Sequence, residues 1–177
     1  MNQLFMVHPG PCDVPVPALP PDWRLRAATD TDDAAMAALL TDAFEETWSV
    51  ERVRRELLDE PTVVRSWLVS GVDGLLGTAS EKLHPKFPGV GYVHWVGVAP
   101  RARGHALGQI LTQACLDGFT ERGLASAVLE TEDFRLPALR TYLRLGFIPE
   151  PRDDKDRRVW SQVLRQLNGS PASTADQ

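Results

Sequence analysis

Hydrophobic and polar positions change their spacing along the chain in a way that predicts a mixed domain of strands and helices. Trp23 to Ala28 alternates bulky and charged residues, as a first strand does. Thr29, Asp30, Thr31 and Asp32 supply N-cap candidates for a helix through about Phe44, with Met36, Leu39, Leu40 and Phe44 at helical spacing. After a break near Thr47–Ser49, Val50 to Leu58 predicts a second helix, stopped before Pro61. Val63 to Ser70, the turn Gly71–Gly74 and Leu75 to Leu83 predict a hairpin. His84 to Gly89 is a loop, and Val90 to Val98, rich in valine and aromatic residues, is the clearest strand.

Gly104 to Arg122 predicts a helix with Leu107, Ile110, Leu111, Ala114 and Cys115 on its apolar face and Gly123 as its stop. Leu124 to Leu129 is a further strand, and Leu136 to Leu145 a short helix ended by Gly146. Phe147 and Val159–Leu164 are late strand candidates. Residues 1–22 hold six of the fourteen prolines and predict an extended arm, in which Leu4, Phe5 and Met6 could dock as a short edge element. The polar tail 168–177 is expected to be disordered, leaving 23–167 as the folded domain.

Composition narrows the function classes. The chain has 177 residues, 43% of them hydrophobic and 24% charged, which suits one domain with a substantial core. No apolar run approaches the ~20 residues of a membrane helix, and the first residues lack a basic start and an unbroken apolar stretch. The expected location is the cytoplasm. A net charge of -5 argues against a general nucleic-acid binder. The two cysteines, Cys12 and Cys115, form no CxxC, and no paired-histidine spacing is present, so no metal is expected. His8 and Cys12 read as parts of an irregular arm, and Cys115 as a small core residue.

The stretch Val96 to Gly108, VGVAPRARGHALG, carries the chemistry. A strand runs through a tight turn and a glycine-bearing loop into a helix. That arrangement leaves backbone N–H groups free at a helix start, where the dipole favours an anion. Arg101, Arg103 and His105 add charge or hydrogen-bond capacity, and the small Gly104 and Ala106 permit close approach. No Lys-Ser or Lys-Thr follows, which disfavours a P-loop, and the glycine spacing is wrong for a dinucleotide fold. Arg101 to Ala106 fits R/Q-x-x-G-x-G/A at every defined position.

Together with WRLRAATDTDD, LLGTA and ALRTYLRLGF, this stretch resembles the GNAT superfamily of acyl-CoA-dependent N-acyltransferases over about Trp23 to Leu164. The resemblance implies a mixed α/β (α+β) fold: a mostly antiparallel six- to seven-stranded sheet, helices on both faces and a splayed central strand pair. It implies that Val93–Val98 and Ala125–Glu130 splay apart. Pantetheine would then pair with Val96, Gly97 and Val98, and the pyrophosphate would sit on the amides of Ala102 to Leu107. Gly108 would let the helix pack close. Arg135 replaces an asparagine common in the family, and could reach a phosphate or simply be solvated.

Tyr142, at the position of a frequent family tyrosine, is the candidate acid, or else a core residue of the face made with Ala138, Leu139 and Leu145. Tyr92, His94 and Val96 are expected to share one strand face, which makes His94 the candidate base. Glu130, Glu132 and Asp133 are rival bases or acceptor contacts. Glu45, Glu46 and Trp48 could hold a cationic acceptor of open identity. The expected activity is acetyl transfer from acetyl-CoA to a small-molecule or peptide amine by a monomer or homodimer. A non-catalytic acyl-CoA-binding module is the alternative.

Overall fold

The structure is a computed structural model and describes residues 2–169. Its strands are β1 (Gln3–His8), β2 (Arg24–Ala27), β3 (Val63–Gly71), β4 (Gly74–Lys82), β5 (Gly91–Val98), β6 (Ala127–Glu132) and β7 (Ile148–Pro149). Its helices are α1 (Asp33–Phe44), α2 (Val50–Val53, continued by a π-helical turn over Arg54–Leu58), α3 (Leu107–Glu121), α4 (Leu136–Arg144) and α5 (Asp154–Gly169). They form one seven-stranded sheet in the order β2-β3-β4-β5-β6-β1-β7. Every pairing is antiparallel except β5 with β6. This is the mixed, mostly antiparallel sheet that the sequence implies.

The N-terminus departs from expectation. Its first segment is an interior strand, not an edge element: β1 pairs with β6 on one side and β7 on the other. Gln3 to His8 contains no proline, and Leu4, Met6 and His8 are buried on one face by strict alternation. The proline-rich arm therefore begins only at Pro9. Val159–Leu164 also differs, because it lies inside α5. The buried Trp160 and Val163 are three residues apart, a helical spacing, and Asp153 accepts the Asp156 amide at 2.7 Å at the helix start. Asn168 and Gly169 close that helix; residues 170–177 of the expected tail lie outside the described residues.

The two faces of the sheet are covered differently. A Cβ on Gly97 would meet Phe44, Ala43 and Leu40 of α1. A Cβ on Gly77 or Gly91 would meet Leu111 or Phe119 of α3. Thus α1 and α3 sandwich β4 and β5. α1 enters from Asp32, whose carboxylate accepts both Arg26 Nη1 (2.8 Å) and Nη2 (2.7 Å), and also the Thr29 amide (2.7 Å). Arg26, more than the helix-start amide, holds this carboxyl well below its usual range.

α3 is buried almost all round, not on one stripe. The arm covers its outer side. Gln109 and Gln113, both buried, donate to the carbonyls of Pro15 (3.1 Å) and Val14 (2.6 Å). At its C-terminal half α3 meets a fully buried carboxylate, Glu81, which accepts from Trp67 Nε1 (2.7 Å) and Arg122 Nε (3.3 Å). Gly118 makes room for it, since a Cβ there would stand 2.1 Å from Glu81 Oε1. The buried charge is tolerable only while paired, so it cannot swing away cheaply. Gly118→Ala is therefore expected to cost about 1–3 kcal/mol by overpacking, read as a lower urea midpoint at unchanged slope. A parental midpoint would show that the helix slides freely on the sheet.

Candidate functional site

β5 and β6 pair over only three residues, Gly91, Tyr92 and Val93 with Ala127, Val128 and Leu129. β5 then continues to Val98 and β6 to Glu132 without pairing, so the sheet opens as a wedge. β1 holds the far edge of β6 out to Glu132, opposite Gln3. A bulge lies at the opening on the β4 side. Ser80 faces His94 and Thr78 faces Gly97, so Trp95 and Val96 together oppose Ala79. Trp95 has φ +48, and its ring packs edge-on against Trp48 (4.7 Å) and Phe44 (5.3 Å). Such a bulge bends the strand and resets its alternation.

The reset corrects one expectation. Tyr92 and His94 do share a face, with rings 5.5 Å apart. Trp95, 5.3 Å from His94, joins them, whereas Val96 alternates away from Gly97 and its α1 neighbours. Val96, Gly97 and Val98 all lie beyond the last β5–β6 pair, so their β6-facing backbone has no strand partner.

The loop after β5 supplies the second half of the site. Pro100–Ala102 forms one 3-10 turn, with Ala102 and Arg103 amides donating to Ala99 (2.9 Å) and Pro100 (3.3 Å). Ile110 donates to Ala106 (3.1 Å). Between them, among the described residues, the amides of Gly104, His105, Ala106, Leu107, Gly108 and Gln109 meet no backbone acceptor, and no side chain caps α3. Gly104 (φ +87) and Ala106 (φ 55) are both left-handed, a conformation that turns successive N–H groups into a concave cradle. A Cβ on Gly104 or Gly108 would meet nothing within 4 Å. Gly108 therefore does not serve close helix packing; it leaves the space above the cradle open. Cradle and free strand edge together fit a phosphate followed by an extended polar chain.

The side chains of the loop divide. Arg101 Nη2 donates to the Leu75 carbonyl at 2.8 Å, so Arg101 ties the loop to β4. His105 packs edge-on against Trp23 (5.0 Å) at the surface. Arg103 is exposed and has no ion-pair partner among the described residues, which leaves it available to an anion. Arg135 is part-buried, its side chain 28% exposed. It pairs with Glu132 and lies over the Phe44 ring at 4.8 Å, spanning from β6 to α1.

His94 and Tyr142 stand on opposite sides of the wedge. His94 shares the α1 face, where burial first, and then the nearby Lys82 and His84, lower its pKa to about 3. A ring held below its ordinary pKa is neutral at physiological pH and takes up a proton less readily than a solvated imidazole. Tyr142 is buried on α4, which packs with α3, and its ring meets Phe147 at 5.8 Å. Burial pushes its hydroxyl pKa up; Cys115 and Glu132 add to the rise and Arg135 opposes it, so the hydroxyl stays protonated. Glu45 and Glu46 are exposed at the end of α1, Glu46 paired with Arg52. Asp133 accepts from Asn2 Nδ2 at 2.7 Å. Sequence spacing missed the aromatic group of Phe44, Trp48 and Trp95 with Arg52 3.8 Å over Trp48, because the bulge that assembles it leaves no local signal. Among the described residues there is no cluster suited to a metal ion and no helix long and apolar enough to cross a membrane.

A wedge between two parallel strands, opening onto an uncapped helix start, defines a class of α/β fold with an anion-ready cradle beside a free strand edge. The acetyltransferase (GNAT) family model matches residues 34–147, and the chain belongs to that family. Among curated relatives, a mycothiol acetyltransferase of Parafrankia sp. is 33% identical over 181 residues, covering 88% of this chain and 56% of the relative. A mycothiol acetyltransferase of Nocardia farcinica is 44% identical over 78 residues, covering 44% of this chain and 26% of the relative. The chain thus spans about half or less of the length of these relatives. A GCN5-related N-acetyltransferase from Sphaerobacter thermophilus superposes with TM-score 0.67 at 22% identity, covering 84% of this chain and 48% of that one, which shows the shared fold.

The His94 ring should remain neutral from about pH 5 to 8 in a histidine-labelled NMR titration, because its lowered pKa lies below that window. A titration near 6.5, the unperturbed value, would place it in water instead.

Proposed function

We propose that the chain transfers an acetyl group from acetyl-CoA to a primary amine, by direct attack with both substrates bound. The observation that carries this reading is the run of six unpartnered amides from Gly104 to Gln109 beside the unpaired edge of β5. The amides and Arg103 would take the pyrophosphate, and the free edge at Val96–Val98 the pantetheine amides. That route brings the thioester to the narrow end of the wedge, between the face of His94 and the face of Tyr142. Tyr142 stays protonated and is suited to hand its proton to the leaving thiolate. His94, being neutral, suits a hydrogen bond to the acceptor or an ordered water. The names of the curated relatives justify a mycothiol-related amine in any acceptor panel.

Acetyl-CoA should raise the melting temperature, with linkage giving about 2.7 kcal/mol at a hundredfold excess over Kd. Gly104→Asp, which puts a carboxylate in the open cradle, should abolish that shift while the domain stays folded. A folded parent with no shift in millimolar acetyl-CoA would overturn the reading; equal shifts in parent and variant would move the phosphate elsewhere.

Tyr142→Phe keeps the ring and removes the hydroxyl. Its kcat for thiol release should fall by roughly 10²-fold or less, the low end for a general acid, with the acetyl-CoA shift retained. Full activity would reduce Tyr142 to a core residue.

A further inference from the structure

We propose that the outer side of α3 carries a second binding site, for a small organic cation with an apolar body, separate from the acetyl-CoA wedge. The site is independent of the acetyl-transfer reading.

A cavity of about 190 Å³ lies between α3, the arm and the strands β2 and β3. That is room for about six waters at roughly 30 Å³ each, which suits a group the size of one side chain or a substituted benzene. Its apolar walls are Leu25 of β2, Trp67 of β3, and Ile110 and Ala114 of α3. The arm adds Val16, an apolar side chain left 58% exposed. The wedge opens between β5 and β6, so β4 and β5 stand between the two sites.

The polar lining offers acceptors only. Its side-chain donors are already used. Trp67 Nε1 donates to Glu81 at 2.7 Å, and the Gln113 amide donates to the Val14 carbonyl at 2.6 Å and reaches Cys12 Sγ at 3.9 Å. Gln113 is only 2% exposed, yet its Oε1 has no hydrogen-bond partner, an expensive state for a buried carbonyl. Asp117 and Glu121, one turn apart on α3, add two carboxylates on the same side of the helix. Asp117 has no ion-pair partner among the described residues, and burial first, then Glu121, pushes its carboxyl pKa up. Glu121 ends α3, where the helix dipole disfavours negative charge and no basic residue stands in the last turn.

The neighbouring cations leave that demand unmet. Arg65 reaches Glu121 at 3.5 Å but shares itself with Glu81 at 3.7 Å, its guanidinium 5.0 Å from the Trp67 ring. Arg122 is held by Glu81 at 3.3 Å. Arg24 and Arg26 flank Leu25 but alternate away from it; Arg26 pairs with Asp32 at the entry to α1, and Arg24 donates to the carbonyls of Pro21 and Trp23. A ligand with N–H donors and a positive charge would partner Gln113 Oε1 and Asp117 while its body covers Trp67 and Leu25. An anion would face two carboxylates, and an acceptor-only ligand would find no free side-chain donor.

Benzamidine, a flat cation of this size, is the probe, with benzyl alcohol and benzoate as neutral and anionic counterparts. In NMR of the parent, benzamidine should shift the Trp67 indole, the Gln113 side-chain amide and the Ala114–Gly118 amides together and saturably, with a Kd of roughly 1 mM, as so few atoms allow. Saturating acetyl-CoA should leave that Kd unchanged. Benzyl alcohol and benzoate should bind at least about tenfold more weakly, since neither brings a charged donor. Asp117→Asn changes an exposed, unpaired side chain, so the domain stays folded, and should weaken benzamidine about tenfold. Ala114→Leu, which fills the cavity, should abolish the shifts; if that variant fails to fold, Asp117→Asn decides alone. Equal binding of the three probes, a parental Kd in Asp117→Asn, or shifts confined to other residues would overturn the site. Displacement of benzamidine by acetyl-CoA would put it in the wedge and overturn the site as well.

Discussion

A backbone at φ +48 is a costly conformation for tryptophan, of order 1–3 kcal/mol, and Trp95 holds it in the middle of β5. Edge-on contacts with Trp48 and Phe44 offset that cost, each aromatic pair contributing about 0.5–1.5 kcal/mol beyond area burial. The bulge has two consequences. It bends β5 just past its last pair with β6, so two parallel strands that begin zipped end apart. It also resets which side chains face α1, bringing Trp95 to that side and leaving Gly97 against Phe44. The wedge and the free strand edge both follow from that bend.

The cradle depends on a second constraint. Its six free amides belong to the loop and first turn of α3, so their position is only as fixed as α3 itself. Glu81 locks the C-terminal half of that helix against the sheet, the arm carbonyls of Val14 and Pro15 hold its outer side, and Arg101 ties the loop to β4. None of these groups belongs to the cradle. They make an uncapped helix start rigid enough to receive an anion without reorganising.

Much of this was legible in the sequence. The strand–loop–helix from Val96 to Gly108 could be read because its signals are local: a valine-rich strand, a proline stop, glycine at a left-handed position and a helical apolar pattern. The misread features depend on distant partners. The irregular chain from Pro9 onward suggests an edge for Leu4–Met6; only the pairing of β1 with both β6 and β7 makes it interior. Val159–Leu164 is short enough for its apolar spacing to suit a strand or a helix. Alternation alone puts Val96 on the wrong face, because it holds only without a bulge and no residue type announces one at Trp95. Arg101 and Arg135 bear charges that suit phosphate, and spacing does not display the β4 carbonyl and the Phe44 ring that also engage them. The lowered pKa of His94 needs burial and neighbours that spacing does not display.

The central claim is that free amides at the start of α3, next to an unzipped strand, receive the pyrophosphate of an acyl-CoA. Backbone amide NMR during a CoA titration reads those groups directly. The account predicts the largest shifts at Gly104 to Gln109, with a second set along Val96 to Val98, and small changes at Gln113 and beyond in α3. Saturable binding that leaves the Gly104–Gln109 amides unmoved would contradict it.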